Sequence, residues 1–162
     1  MSKTFWWGVA LAAVCLPALA RAQTPTATEA RNKQLIRQTF AKWTQGKGTL
    51  YDLLAPNAQW TLTGSSLLSK TYTSKQQFID ATVTPLFQRL STPFVPRLQQ
   101  LYAEGDEVIA TFDGTGTAND GKPYHNTYCL LMTLKGGQIV RTVAYLDLLA
   151  YMELLHRVPA RP

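Results

Sequence analysis

Apolar positions along residues 29–45 recur at Leu35, Ile36, Phe40 and Trp43. Ile36, Phe40 and Trp43 follow i, i+4, i+7 spacing, which predicts a helix with one buried face. Thr26 and Glu29 stand at capping-box spacing ahead of it, and Gly46 follows as a stop. A short second helix is predicted over Leu50–Ala55, ended by Pro56. From Ala58 to Gly64 the period changes to two, with Trp60 and Leu62 on one face of a strand and Thr61 and Thr63 on the other. Residues 65–73 form a polar connection with room for one short strand. Ser74 and Gln77 repeat the capping-box spacing, and the helix behind them carries Phe78, Ile79, Val83, Leu86, Phe87 and Leu90. Pro85 should kink or break that helix.

The second half reads as strands. Phe94–Ala103 ends at Gly105-Asp106, and Glu107–Thr117 follows. Asn119-Asp120-Gly121-Lys122 is a hairpin turn, Tyr124–Leu134 the next strand, and Gly136-Gly137 a second tight turn. Gln138–Tyr145 is the last strand, and Leu146–Val158 is apolar enough for a packed helix. The order α-α-β-α-β-β-β-β predicts one α+β domain, with helices packed on a curved antiparallel sheet.

The start of the chain does not share this pattern. Residues 1–22 have a basic start at Lys3, an apolar run from Thr4 to Leu16 and small residues around Ala18, Ala20 and Ala22. This is the layout of an export signal, cut before Gln23 or before Arg21. The other reading is an uncleaved N-terminal anchor, although the run is short for a membrane span. Export predicts a periplasmic or secreted protein, free of the membrane after cleavage, with a linker over 23–28 and a folded domain over 29–158. The 162 residues are 46% hydrophobic and 16% charged, enough apolar content for a core and against global disorder. The formal charge of +6 falls to +4 without Lys3 and Arg21, and the basic residues are scattered, so nucleic acid is not an expected partner. One cysteine, Cys129, remains in the mature chain, so no internal disulfide forms. It is either a buried small hydrophobe or a partner for a cysteine of another chain, and its setting, Tyr-Cys-Leu-Leu-Met, favours burial.

Several chemistries lack their residues. No Gly-rich phosphate loop precedes a helix, and no nucleophile elbow is present. His125 and His156 have no partners at metal-ligand spacing, so neither a metal nor another cofactor is expected. What remains is polar groups isolated in apolar strands: Asp147 after the last strand, Asp113 and Asn126. A carboxylate on an apolar wall has a raised pKa and can act as acid or base. Asp147 also directly precedes Leu148-Leu149-Ala150, where it would cap a helix. Asp113 lies opposite the apolar face of Val108, Ala110 and Phe112, which favours an outward position. Trp43, Trp60, Tyr72 and Tyr128 suit core packing and would equally line an apolar ligand cavity.

The run Gly121-Lys122-Pro123-Tyr124-His125-Asn126-x-Tyr128, with Gly136-Gly137-Gln138-Ile139 and Tyr145-Leu146-Asp147, resembles the SnoaL-like branch of the nuclear transport factor 2-like superfamily. Phe40-x-x-Trp43-x-x-Gly46 and Leu53-Leu54-Ala55-Pro56-Asn57-Ala58-x-Trp60 add to the likeness, which spans about residues 29–155. The resemblance implies a cone-shaped, cystatin-like α+β barrel with an apolar pocket at its open end. It also implies a homodimer formed through the outer sheet face. Its catalytic residues carry over only in part. The positions of the ketosteroid isomerase tyrosine and aspartates hold Thr39 or Phe40, Leu62 and Leu130. Of the limonene-epoxide hydrolase set, Asp147 and Asp113 match carboxylates. Thr111 or Ala110 replaces the arginine, and Trp60 and Leu62 replace the water-holding Tyr and Asn. Polyketide cyclases need chiefly one acid/base aspartate, a place Asp147 would take.

Two readings follow from the resemblance. One is a cofactor-independent acid/base enzyme on a small apolar or polycyclic compound. Asp147 would transfer the proton, Asp113 would assist, and Trp43, Trp60, Tyr72, Asn126, Tyr128 and Tyr145 would form the pocket. The other is a non-catalytic protein that binds a small apolar molecule in the same pocket.

Overall fold

The helix predicted from Ile36, Phe40 and Trp43 is α1 (Ala27–Thr44), and all three side chains are buried. Its capping box forms: Glu29 N–H donates to Thr26 Oγ1 and Thr26 N–H to the Glu29 carboxylate. Gly46 ends it at φ 70°, a left-handed conformation that glycine adopts without a Cβ penalty. The computed structural model describes residues 24–161, so the predicted export signal over 1–22 lies outside the described residues. Among the described residues no helix is long and apolar enough to cross a membrane.

After α1 the expected second helix is a single 3-10 turn over Leu50–Leu53. Strand β1 (Leu54–Leu62) starts at once and runs through Pro56. The proline is tolerated because pairing with the neighbouring strand is interrupted between Leu54 and Gln59, so no ladder bond needs its missing N–H. A short β2 (Thr71–Tyr72) pairs back on β1. The long helix expected behind Ser74 is divided into α2 (Lys75–Phe78), a π-helical turn (Ile79–Val83) and α3 (Thr84–Phe87). Pro85 offers no N–H for an α-helical bond, and the wider turn lies directly before it.

Strands β3 (Val95–Glu104), β4 (Glu107–Thr117), β5 (Pro123–Lys135) and β6 (Gln138–Leu146) form the antiparallel meander read from the alternation, and α4 (Leu148–Arg157) closes the chain. The six-stranded order is β2-β1-β6-β5-β4-β3, an open curved sheet rather than a closed barrel. One pairing adds to the sequence expectation: β1 lies parallel to β6. Parallel neighbours need a long crossover, and here everything from β2 to β5 supplies it. The sheet bends where Gln99 and Val140 are inserted into the ladders, and both Gln99 and Gln100 face solvent as a result. The concave face wraps α1. Phe40 meets Phe112 at 4.9 Å, and Ile36, Val108, Met132, Leu134 and Ile139 fill the narrow end of the cone without exposure.

Candidate functional site

The wide end of the cone is built from alternate residues of the sheet and from the helices that cross it. Strand β4 contributes Phe112 and β5 contributes Tyr128 and Leu130. The rings of Phe112 and Tyr128 stack at 4.6 Å and 6°. From the other side Trp60 of β1 stacks on Phe78 of α2 at 4.1 Å and 15°. Trp43 of α1, Tyr51 of the 3-10 turn and Tyr151 of α4 complete the wall. Trp43 and Tyr51 meet edge to face at 5.4 Å, a favoured geometry for aromatic pairs. The space left is about 50 Å³. A cavity that admits benzene is roughly 150 Å³, so the cone is nearly filled by its own side chains.

The polar side-chain atoms of this wall are hydroxyls and the indole N–H groups of Trp43 and Trp60. Tyr128 Oη lies 3.2 Å from Tyr124 Oη, and Asn126 Nδ2 donates to Tyr124 Oη at 3.0 Å. Tyr151 donates to the Thr82 carbonyl at 2.7 Å, and Thr82 in turn donates to the Phe78 carbonyl. Burial pushes the phenols of Tyr51, Tyr128 and Tyr151 well above the ordinary tyrosine range, and proximity to Tyr124 adds to the shift. Tyr124 is raised by burial as well, against the opposing effect of its bonds to Tyr128 and Asn126. These phenols stay protonated and act as hydrogen-bond donors or acceptors, not as bases. Among the described residues no carboxylate, imidazole, amine, guanidinium or thiol lines the cavity.

The sequence-derived residues are distributed unevenly about this site. Trp43, Trp60 and Tyr128 line the cavity. Tyr72 is buried beside it, edge-on to Phe78 at 5.9 Å, with its hydroxyl on the Leu68 carbonyl. Asn126, at 1% exposure, stands behind the wall and clamps the backbone of Asp147, accepting its N–H at 3.0 Å and donating to its carbonyl at 2.9 Å. The Asp147 carboxylate faces solvent: Oδ1 accepts from Leu149 N–H at 2.9 Å and Ala150 N–H at 3.1 Å, as the N-cap of α4. Asn126, Tyr128 and Asp147 therefore do come together, but through the backbone of Asp147 rather than its carboxylate.

Asp113 lies on the convex face, where Arg97, Gln99 and Thr127 donate to it. The hydrogen bond from Arg97 holds its carboxyl below the usual aspartate range. Tyr145 is half-exposed on the same convex face, opposite Cys129. The expectation of a buried Cys129 is corrected to a partly exposed one, because Leu130 takes the inward position of that strand. The placement of Tyr145 in the pocket is corrected on the same ground, since Ala144 and Leu146 line the cone and alternation turns Tyr145 outward.

Tyr51, Tyr124, Tyr151 and Phe78 were not anticipated at the site. For Tyr124 the signal was present, since Tyr124, Asn126 and Tyr128 share the parity of Leu130 and Met132. Tyr151 stands four residues after Asp147, one helical turn into α4. Tyr51 sits in a turn without a period, and nothing in the sequence sets it apart. Among the described residues no group of three or more His, Cys, Asp or Glu side chains is placed to hold a metal ion.

Comparison with known proteins agrees with this architecture. A SnoaL-like protein from Jannaschia sp. CCS1 superposes with a TM-score of 0.65 at 18% identity, covering 85% of this chain and 100% of that one. An NTF2-like protein from Burkholderia thailandensis E264 gives 0.60 at 20% identity, covering 76% and 96%. TerC, crystallised with polyporic acid, gives 0.60 at 16% identity, covering 77% and 98%. At these identities the likeness is one of fold. No curated protein sequence matches the chain. The SnoaL-like domain family model matches residues 36–142, which run from the buried face of α1 to the middle of β6. The chain belongs to the SnoaL-like domain family.

Proposed function

We propose that the chain binds a small, flat, uncharged molecule carrying an acceptor oxygen in the cone, whose side chains part to admit it, and releases it unchanged. The observation that carries this reading is the cavity wall: aromatic rings and phenol hydroxyls, with no group among the described residues that ionises near neutral pH. Proton abstraction needs a base within hydrogen-bond reach of the substrate. The nearest candidate from the sequence, Asp147, spends Oδ1 on two backbone amides at the surface. A buried, protonated phenol is suited to hold a carbonyl oxygen, and surrounding rings to hold its apolar frame. Export through residues 1–22 and pairing of two copies through the convex face belong to the same proposal. The exposed Tyr102, Ile109 and Tyr145 support the pairing.

Calorimetric titration with indanone and with indane, the same skeleton without the oxygen, tests the reading. Indanone should bind about tenfold more tightly, the worth of one buried hydrogen bond, and Tyr128→Phe should remove the difference. Mass spectrometry should return indanone unaltered. A product separable from indanone by chromatography, whether of changed mass or an isomer of the same mass, and lost in a folded Asp147→Asn variant, would restore the acid/base reading in place of this one.

A further inference from the structure

The hydroxyl of Tyr128 is joined to a hydrogen-bond network behind the wall of the cone, and that network has a direction. It starts at the backbone of Asp147, where the N–H can only donate and the carbonyl can only accept. The side chain of Asn126 meets both, with Oδ1 on the N–H at 3.0 Å and Nδ2 on the carbonyl at 2.9 Å. This pairing assigns the amide, because exchanging its oxygen and nitrogen would break both bonds. The second N–H of Nδ2 donates to Tyr124 Oη at 3.0 Å. Tyr124 is 3% exposed and lies outside the cavity lining. Among the described residues its hydroxyl meets one further group, Tyr128 Oη at 3.2 Å.

The protons of this network outnumber its hydrogen bonds. Asn126 brings one N–H to it and each phenol brings one O–H, while the bonds that join them are Asn126 to Tyr124 and one between the phenols. One hydroxyl proton is therefore left over. If Tyr128 donated to Tyr124, the spare proton would be that of Tyr124, buried behind the wall without an acceptor, an unfavourable place for a donor. If Tyr124 donates to Tyr128, the spare proton is that of Tyr128, which lines the cone. There a ligand oxygen can satisfy it.

We propose that Asn126 and Tyr124 are positioning residues that make the Tyr128 hydroxyl a donor toward the cone, with the direction set by the backbone of Asp147. The inference rests on the binding reading above and deepens it. Neither residue lines the cavity, yet together they select the group received at Tyr128: an oxygen that accepts, such as a carbonyl. A group that only donates there leaves a proton of the network buried without a partner. Donation from Tyr124 also strengthens Tyr128 as a donor, because successive hydrogen bonds polarise one another.

The test follows the carbonyl stretch of bound indanone by infrared difference spectroscopy, with its affinity measured by calorimetry, in the intact chain. A carbonyl that accepts a hydrogen bond absorbs at lower frequency than in an aprotic solvent. The wild-type chain should lower the frequency, and Tyr128→Phe should abolish the lowering. Tyr124→Phe should leave a smaller lowering, since Tyr128 keeps its proton for the ligand and loses its polarising neighbour. Asn126→Asp should abolish the lowering and weaken indanone about tenfold. The new carboxyl, ionised or with its proton on the Asp147 carbonyl, has none for Tyr124 and accepts from it. Tyr124 then accepts from Tyr128, and a lone pair faces the cone. Adding Tyr124→Phe to Asn126→Asp should bring the lowering back to the Tyr124→Phe value, which damage to the fold at position 126 would not do. If Asn126→Asp fails to fold, the wild type and Tyr124→Phe decide the matter. A lowering absent from the wild type and present in Tyr124→Phe would show Tyr128 donating to Tyr124, and would overturn the proposal while the binding reading stands. A lowering that survives in folded Asn126→Asp, or that the double variant fails to restore, would overturn it as well. Indanone that does not bind the wild-type chain would overturn both readings together.

Discussion

Phe112 and Asp113 are adjacent in β4 and face opposite ways. Phe112 points into the cone, stacked on Tyr128 and edge-on to Phe40, with 2% of its surface exposed. Asp113 points outward into a cluster of donors from Arg97, Gln99 and Thr127. On the concave face the titratable groups are phenols, and burial keeps them protonated. On the convex face Asp113 is a carboxylate, and a neighbouring guanidinium keeps it ionised. Each face has the chemistry its dielectric favours, since burial disfavours the charged form and a paired surface charge is retained. A pocket assembled this way can hold and polarise a ligand, while ionised acid/base chemistry stays outside.

The sharpest way to break this contrast is to truncate the two neighbours. Phe112→Ala should cost about 3–5 kcal/mol, because it removes a ring that three others pack on and opens a cavity that the curved sheet cannot close. Asp113→Ala should leave the denaturation midpoint nearly unchanged, since its partners return to water. Urea denaturation of both variants measures the difference. Comparable losses would mean that the convex face is structurally as demanding as the cone.

A smaller effect tests whether Asp147 acts as a cap. Asp147→Ala should cost about 1 kcal/mol and raise exchange at the Leu149 and Ala150 amides, whereas Asp147→Asn should retain most of the stability, because Asn caps about as well as Asp. The Asn126 clamp holds the backbone at this point in either variant, so the helix stays docked. Hydrogen exchange by NMR reads this directly. Equal protection in all three chains would remove the capping role and return the carboxylate to consideration as a chemical group.

Periodicity carried most of the fold. The alternation of β4 and the turn residues Asn119–Lys122 and Gly136-Gly137 gave the meander, because period two together with tight-turn chemistry leaves few other pairings. The parallel contact of β1 with β6 was not legible, since it joins segments about eighty residues apart with no local signal. The extent of the Leu50 helix was misjudged because Pro56 is as compatible with an interrupted strand as with a helix end. In the site, parity put Trp60 on one face with Leu62 and already argued for an outward Asp113, while Tyr128 was expected in the pocket on its aromatic character alone. Asp147 was ambiguous for a physical reason: a carboxylate after an apolar strand and before an apolar helix fits both a pocket wall and a cap, and only the direction of the chain at that corner separates them. Tyr51 and Tyr151 reach the cone from a turn and from a helix end, so no strand pattern announces them.

The smallest effect expected concerns acid. Besides Asp113, Glu29 and Asp120 have carboxyls held below their ordinary values, Glu29 by the Gly105 and Thr26 amides and Asp120 chiefly by Arg157. A carboxyl with a lower pKa folded than unfolded stabilises the fold above the unfolded value, and that contribution is lost as pH falls through the folded value. All three lie at the surface, so the loss should be modest and should begin below about pH 4, where unfolded carboxyls take up protons first. Thermal melts across this range should therefore show a shallow decline, weakened by salt because exposed pairs are screened. Asp113→Asn should reduce the slope without altering the plateau at neutral pH. The cone provides the control, because its phenols do not change charge in acid, so Tyr128→Phe should leave the slope as it is while lowering the whole curve. If Asp113→Asn leaves the acid slope untouched, the donors around Asp113 do not hold its charge in solution, and the contrast between the two faces rests on packing alone.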